Sequence, residues 1–127
     1  MKTIVARIQE ADKPNSNGRI YPREALEKAV AEQQKKGRTW VTLGMPGRNV
    51  VDLNEIAGQA GNWSWDGDTL CAEIAVMDTP RGKLVKEMLE TVQPDYRFAG
   101  MGDVSEDGVV TNFRIMSIGV LAPGSGA

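Results

Sequence analysis

The chain is expected to fold as one α+β domain, residues 1–127, with a small, mostly antiparallel sheet that curls toward a barrel and two main helices. Three observations predict this. Apolar and polar residues alternate over several stretches, separated by glycine, proline, asparagine and aspartate. Two other stretches repeat their apolar residues every three or four positions and carry helix start and stop residues. At 127 residues the chain can enclose one core, burying roughly two-thirds of the surface of its unfolded form.

The first strand runs from Thr3 to Gln9, with Ile4 and Ala6 on one side and Val5 and Arg7 on the other. Pro14 to Gly18 is a loop, whose Asn17-Gly18 pair supplies the positive φ of a tight turn. Tyr21 leads into a helix with Pro22 in its first turn, where a missing N–H costs nothing. Leu26, Ala29, Val30 and Gln33 share one face of it. Glu24–Lys28 and Glu32–Lys36 pair along the other, and Gly37 ends it.

Thr39 to Leu43 is a short strand and Gly44 to Asn49 a loop. Val50 to Ala60 is ambiguous: Val51, Leu53 and Glu55 alternate as in a strand, while Gly58 and Gly61 weaken one. Trp63 and Trp65 stand at strand spacing, Asp66-Gly67-Asp68 is a turn, and Leu70 to Met77 completes a hairpin. Thr79 then caps a second helix whose first residue is Pro80. Its apolar stripe is Leu84, Val85, Met88, Leu89 and Val92, and Pro94 stops it. Tyr96 to Val104 is a strand interrupted by Gly100 and Gly102. Ser105 to Gly108 is a turn, Val109 to Leu121 a long final strand, and residues 122–127 a mobile tail.

Composition narrows the function. Fifteen Lys and Arg against 17 Asp and Glu give a net charge of -2, no electrostatic footprint for nucleic acid or an anionic membrane. Lys35, Lys36 and Arg38 form a small basic cluster that complements the end of the first helix. No apolar run approaches the roughly 20 residues that span a bilayer. The N-terminal residues lack a signal-peptide core, so a soluble, non-secreted protein is expected. Cys71 is the single cysteine, which forbids an intrachain disulfide; its apolar setting predicts a buried, inert thiol.

The chain contains no histidine. Ser-His and Cys-His catalysis and His-containing metal sites are therefore excluded. Asp66 and Asp68 bracket a turn glycine, without the spacing of a calcium loop. Gly100-Met101-Gly102 lacks the third glycine and following helix of a phosphate loop. No cofactor or metal is expected. Ser105 belongs to a turn, and nothing marks Ser117 or any other serine as paired with a lysine. Trp63 and Trp65 form a shared core or barrel wall, or, if exposed, an interface anchor.

The ordered segments resemble the prohead protease family of tailed bacteriophages, capsid-maturation serine proteases related in fold to herpesvirus assemblin. The resemblance rests on Asn17-Gly18-Arg19-Ile20-Tyr21-Pro22 followed by Ala25-Leu26-Glu27-Lys28-Ala29-Val30, then on Val51-Asp52-Leu53 and Trp65-Asp66-Gly67-Asp68. Asp78-Thr79-Pro80-Arg81-Gly82-Lys83-Leu84, Gly100-Met101-Gly102 and Phe113-Arg114-Ile115-Met116-Ser117-Ile118, leading to Pro123, continue it in order over nearly the whole chain. The departures fall on the catalytic parts. The stretch after the first helix, Leu43-Gly44-Met45-Pro46-Gly47-Arg48, is shorter than in the family and has no His. The family's Ser-His corresponds here to Ala57-Gly58, its Ser-Ser-Arg-Gly-like motif to Arg97-Phe98-Ala99-Gly100, and its late Asp to Gly119.

The resemblance implies the fold and a phage-head setting, with the base and nucleophile positions near Gly58 and Arg97, Phe98 and Ala99 replaced and no catalytic residue carried over. The first expectation is a non-catalytic virion structural protein: a capsid decoration or cement protein on the major capsid protein, homo-oligomeric or multivalent on the lattice. It would reside in the virion head, and in the host cytoplasm during assembly. Its candidate interface comprises Trp63, Trp65, Pro46 and Arg48. Three alternatives are an inactive assembly or scaffold factor of the prohead, an active serine hydrolase with non-standard residues, and a generic interaction module outside any phage.

Overall fold

The computed structural model describes residues 2–45 and 51–124. Six strands and two α-helices follow one another as β1 (Lys2–Glu10), α1 (Arg23–Lys36), β2 (Thr39–Leu43), β3 (Ile56–Asp66), β4 (Thr69–Val76), α2 (Pro80–Leu89), β5 (Asp95–Val104) and β6 (Val110–Leu121), with a 3-10 turn at Leu53–Glu55 before β3. The strands form a single sheet in the order β1-β4-β3-β2-β6-β5. Neighbours are antiparallel except β2 and β6, which run parallel. The two outermost strands, β1 and β5, approach each other without pairing, so the sheet curls into a half-closed barrel. The expected α+β architecture is the one observed.

Helix α1 lies against β6. It buries Leu26, Ala29, Val30 and Gln33, the face that the sequence spacing assigns. Gln33 is polar, and its burial is matched by partners: its side-chain amide donates to the Ile115 carbonyl, and its oxygen accepts from Thr39 Oγ1 at 2.8 Å. One side chain thus ties α1 to β2 and β6. Gly37, at φ 96°, closes the helix as expected, its N–H donating to the Gln33 carbonyl at 3.1 Å.

The segment left ambiguous resolves into two pieces. Asp52 caps a short turn: its carboxylate accepts from the Asn54 N–H at 3.2 Å, while the Glu55 side chain accepts from the Asp52 N–H at 3.3 Å. Strand β3 then begins at Ile56 and runs to Asp66, with a register irregularity against β4 between Gly61 and Ser64, where Asn62 adopts φ 46°. The expected weakening shows after Gly61, whereas Gly58 serves a close approach. A Cβ there would lie 2.5 Å from the Ala75 carbonyl oxygen of β4.

Helix α2 packs on β3 and starts as predicted. Thr79 Oγ1 accepts from the Gly82 N–H at 3.0 Å, and Pro80 occupies the first turn. The helix ends at Leu89, short of the expected Val92, and its apolar stripe divides: Val85 is buried and Met88 and Leu89 are partly so, but Leu84 is 44% exposed, as is Val92 beyond the helix at 41%. Gly82 sets this orientation by resting on the Met77 and Ala57 carbonyls, where no side chain fits. The tail is anchored at least through Gly124, whose N–H donates to the Asp95 carboxylate at 2.8 Å; residues 125–127 of the expected mobile tail lie outside the described residues. Among the described residues, no helix is long and apolar enough to cross a membrane.

Candidate functional site

The register of the sheet places the positions singled out by sequence in adjacent rows. Val76 of β4, Gly58 of β3, Val41 of β2, Ile118 of β6 and Phe98 of β5 are successive cross-strand partners. The neighbouring row joins Thr42, Gly119 and Arg97, and the row on the other side joins Gln59, Trp40, Ser117 and Ala99. Gly58, residues 97–99 and Gly119 therefore share one region of the sheet, although 39 residues separate the first two in sequence. Two strands, β2 and β6, stand between them.

Gly58, Phe98 and Gly119 are closed by packing, whereas Arg97 and Ala99, on either side of Phe98, are half-buried. Beside Gly58 the space a side chain needs is filled by the backbone of β4. Phe98 is 6% exposed and completes an aromatic trio. Its ring centroid lies 5.0 Å from that of Tyr21 and 4.8 Å from that of Phe113, and Tyr21 and Phe113 are 5.1 Å apart. At Gly119 a Cβ would come within 2.6 Å of Met45 Sδ and 2.9 Å of the Gly44 carbonyl oxygen. The parallel pairing of β2 with β6 brings the end of β2 to that point.

The remaining nucleophile candidates are structural. Ser105 Oγ accepts from the Val109 N–H at 3.1 Å, the expected turn role. Ser117 is fully buried, and among the described residues its hydroxyl has no hydrogen-bond partner. With no acceptor for its proton it has no route to an alkoxide. Ser117→Ala is expected to leave stability unchanged or raise it by up to about 1 kcal/mol, because an unpartnered buried hydroxyl costs desolvation; urea unfolding checks this. Cys71 is buried as expected, and burial pushes its thiol above its ordinary pKa, with Arg7 acting in the opposite sense. Among the described residues no group of three acidic or cysteine side chains is placed to hold a metal ion.

The tryptophan hairpin belongs to the wall of the core. Trp63 and Trp65 are half-buried against it, and the Arg23 guanidinium lies 4.0 Å from the centre of the Trp65 ring. Arg23 also donates to the Gly67 carbonyl at 3.1 Å, so the hairpin is held to the start of α1. Pro46 and Arg48 lie outside the described residues.

The model of the family described as prohead core protein serine protease matches residues 4–120. The chain belongs to this family. The structure of the bacteriophage T4 capsid assembly protease is similar, with a TM-score of 0.83 and 23% sequence identity over 94% of this chain and 80% of that one. At that identity the likeness concerns the fold: two helices on a curled, mostly antiparallel sheet. Among curated proteins, none matches the chain. In this fold Gly58, Phe98 and Gly119 pack against backbone, aromatic rings and Met45, while Arg97 and Ala99 stay half-buried.

Proposed function

We propose that this member of the prohead protease family is non-catalytic and serves as a structural protein of the phage head, a decoration or cement protein that binds the major capsid protein. The observation that carries the reading is steric. The row holding Gly58 and Phe98 and the adjoining Gly119 are filled by backbone, by an aromatic cluster and by Met45. Proton transfer needs a group within hydrogen-bond reach of the nucleophile, and a chain without histidine has none of the usual kind. A scaffold with its chemistry removed retains its surface, and weak contacts repeated over a lattice sum to firm attachment. The similar fold of the bacteriophage T4 capsid assembly protease supports the setting.

The test has two arms. Purified protein incubated with unprocessed major capsid protein is expected to leave it intact by mass spectrometry. Purified mature particles are expected to contain the protein at a copy number commensurate with capsid subunits. Specific cleavage would overturn the non-catalytic reading. Absence from mature particles together with presence in proheads would replace decoration by the second reading, an assembly factor that leaves.

A further inference from the structure

A cleft of about 940 Å³ lies away from the closed rows, between the outer half of the β5–β6 ribbon and the C-terminal end of α1. Neither Gly58, Gly119 nor residues 97–99 line it. Its charge is lopsided: Arg19, Lys36, Arg38 and Arg114 face it, against the single carboxylate Asp103. Among the described residues none of the four cations forms an ion pair, whereas Arg7, Lys13, Arg23, Lys28 and Lys86 all do. Asp103 is already engaged, accepting from Asn112 Nδ2 at 2.9 Å. Lys36 and Arg38, which from sequence only complement a helix end, thus meet Arg19 and Arg114 from distant parts of the chain. In a molecule of net charge -2 this concentration of unpaired cations is local.

The cleft also has the features of a peptide site. The Gly100–Val104 stretch of the outermost strand β5, with glycines at 100 and 102, is exposed and lines the cleft. Met101 and Val104 are 53% and 44% exposed there, and the Trp40 ring carries Arg38 at 5.3 Å. Apolar contacts of this sort beside confined cations suit a polypeptide, whereas nucleic-acid binding draws chiefly on phosphate neutralisation over a broad basic face. From the cations, the exposed glycine-bearing strand and the apolar rim, we infer that this cleft docks a carboxylate-rich segment of another protein chain. The inference holds whether or not the protein is catalytic, and its test reads no cleavage.

The probe is a fluorescein-labelled decapeptide of alternating Glu and Thr, followed by fluorescence anisotropy at low salt. Its Gln–Thr counterpart and a ten-nucleotide oligothymidylate serve as comparisons. The Glu peptide is expected to bind roughly tenfold or more tighter than the Gln peptide and to weaken as salt is raised. Arg38→Glu with Arg114→Glu should abolish binding. Lys2→Glu with Lys83→Glu, the same charge change outside the cleft, should alter it by less than about threefold. Arg38→Gln with Arg114→Gln gives a milder neutralisation, and circular dichroism verifies the fold of each variant. Equal binding of the Glu and Gln peptides would overturn the inference, as would equal loss in the near and distant reversals. Oligothymidylate binding more tightly than the peptide, and lost on the same reversals, would replace it with a nucleic-acid site.

Discussion

Gly58→His, which returns an imidazole to the position where the family resemblance locates one, is expected to yield no peptidase and to destabilise the protein by about 3 kcal/mol or more. The cost has two parts. Any Cβ at this position would sit 2.5 Å from the Ala75 carbonyl oxygen and 3.3 Å from Val76 Cα, both backbone atoms that move only if β3 and β4 separate. Position 58 is also buried, so the ring's nitrogens need partners that the neighbouring Val76 and Val41 cannot supply. Gly58→Ala isolates the first part and is expected to cost about 1–3 kcal/mol. Urea unfolding of both variants, with a fluorogenic peptide assay of the histidine variant, makes the comparison. Wild-type stability for Gly58→His would mean that β3 and β4 yield freely and that the site is open.

How far the sequence reaches is clear from particular residues. The buried face of α1 could be read directly, because Leu26, Ala29, Val30 and Gln33 repeat at helical spacing and local periodicity alone decides which side turns inward. The Thr79-Pro80 start of α2 and the turn at Asp66-Gly67-Asp68 are equally local. Gly58 was legible as unusual, but its meaning was not. A glycine that weakens a strand and a glycine that admits a neighbouring backbone look alike until the partner strand is known. The capping box of Asp52 and Glu55 carried a local signal that strand-like alternation of Val51, Leu53 and Glu55 masked.

Long-range features were beyond reach for a different reason. Met45 meets Gly119 only because β2 lies parallel to β6, a pairing that no short-range pattern specifies. Arg19 and Arg114 join Lys36 and Arg38 only through the path of α1 across β6. The aromatic trio draws one ring each from the loop before α1, from β5 and from β6. In each case the residue type was visible and its neighbours were not. The missing histidine was the exception: an absence from the whole chain holds in every topology.

Phe98→Ser, which places a hydroxyl within the segment that resembles the family's serine motif, is expected to be the most damaging single change considered, at about 3–5 kcal/mol. Phe98 is buried with Tyr21 and Phe113 at ring distances of 4.8–5.1 Å within the trio, so truncation empties the centre of a cluster linking the start of α1 to β5 and β6. The new hydroxyl adds a desolvation cost in a pocket whose nearest rings offer it little, and the cross-strand neighbour Ile118 offers nothing. Phe98→Leu keeps most of the volume and should cost less than Phe98→Ser. A gap between the two variants in urea midpoint, at unchanged slope, is the expected signature. Equal midpoints would show that the trio does not support the core. The energetic consequence reaches the function directly. In a domain of this size, whose total stability is of order 5–15 kcal/mol, a nucleophile at position 98 competes with the packing that holds β5 and β6 to α1. Phe98 and Gly58 both belong to the packing that joins neighbouring strands, so new polar groups at both positions are expected to require repacking several strands at once rather than one substitution.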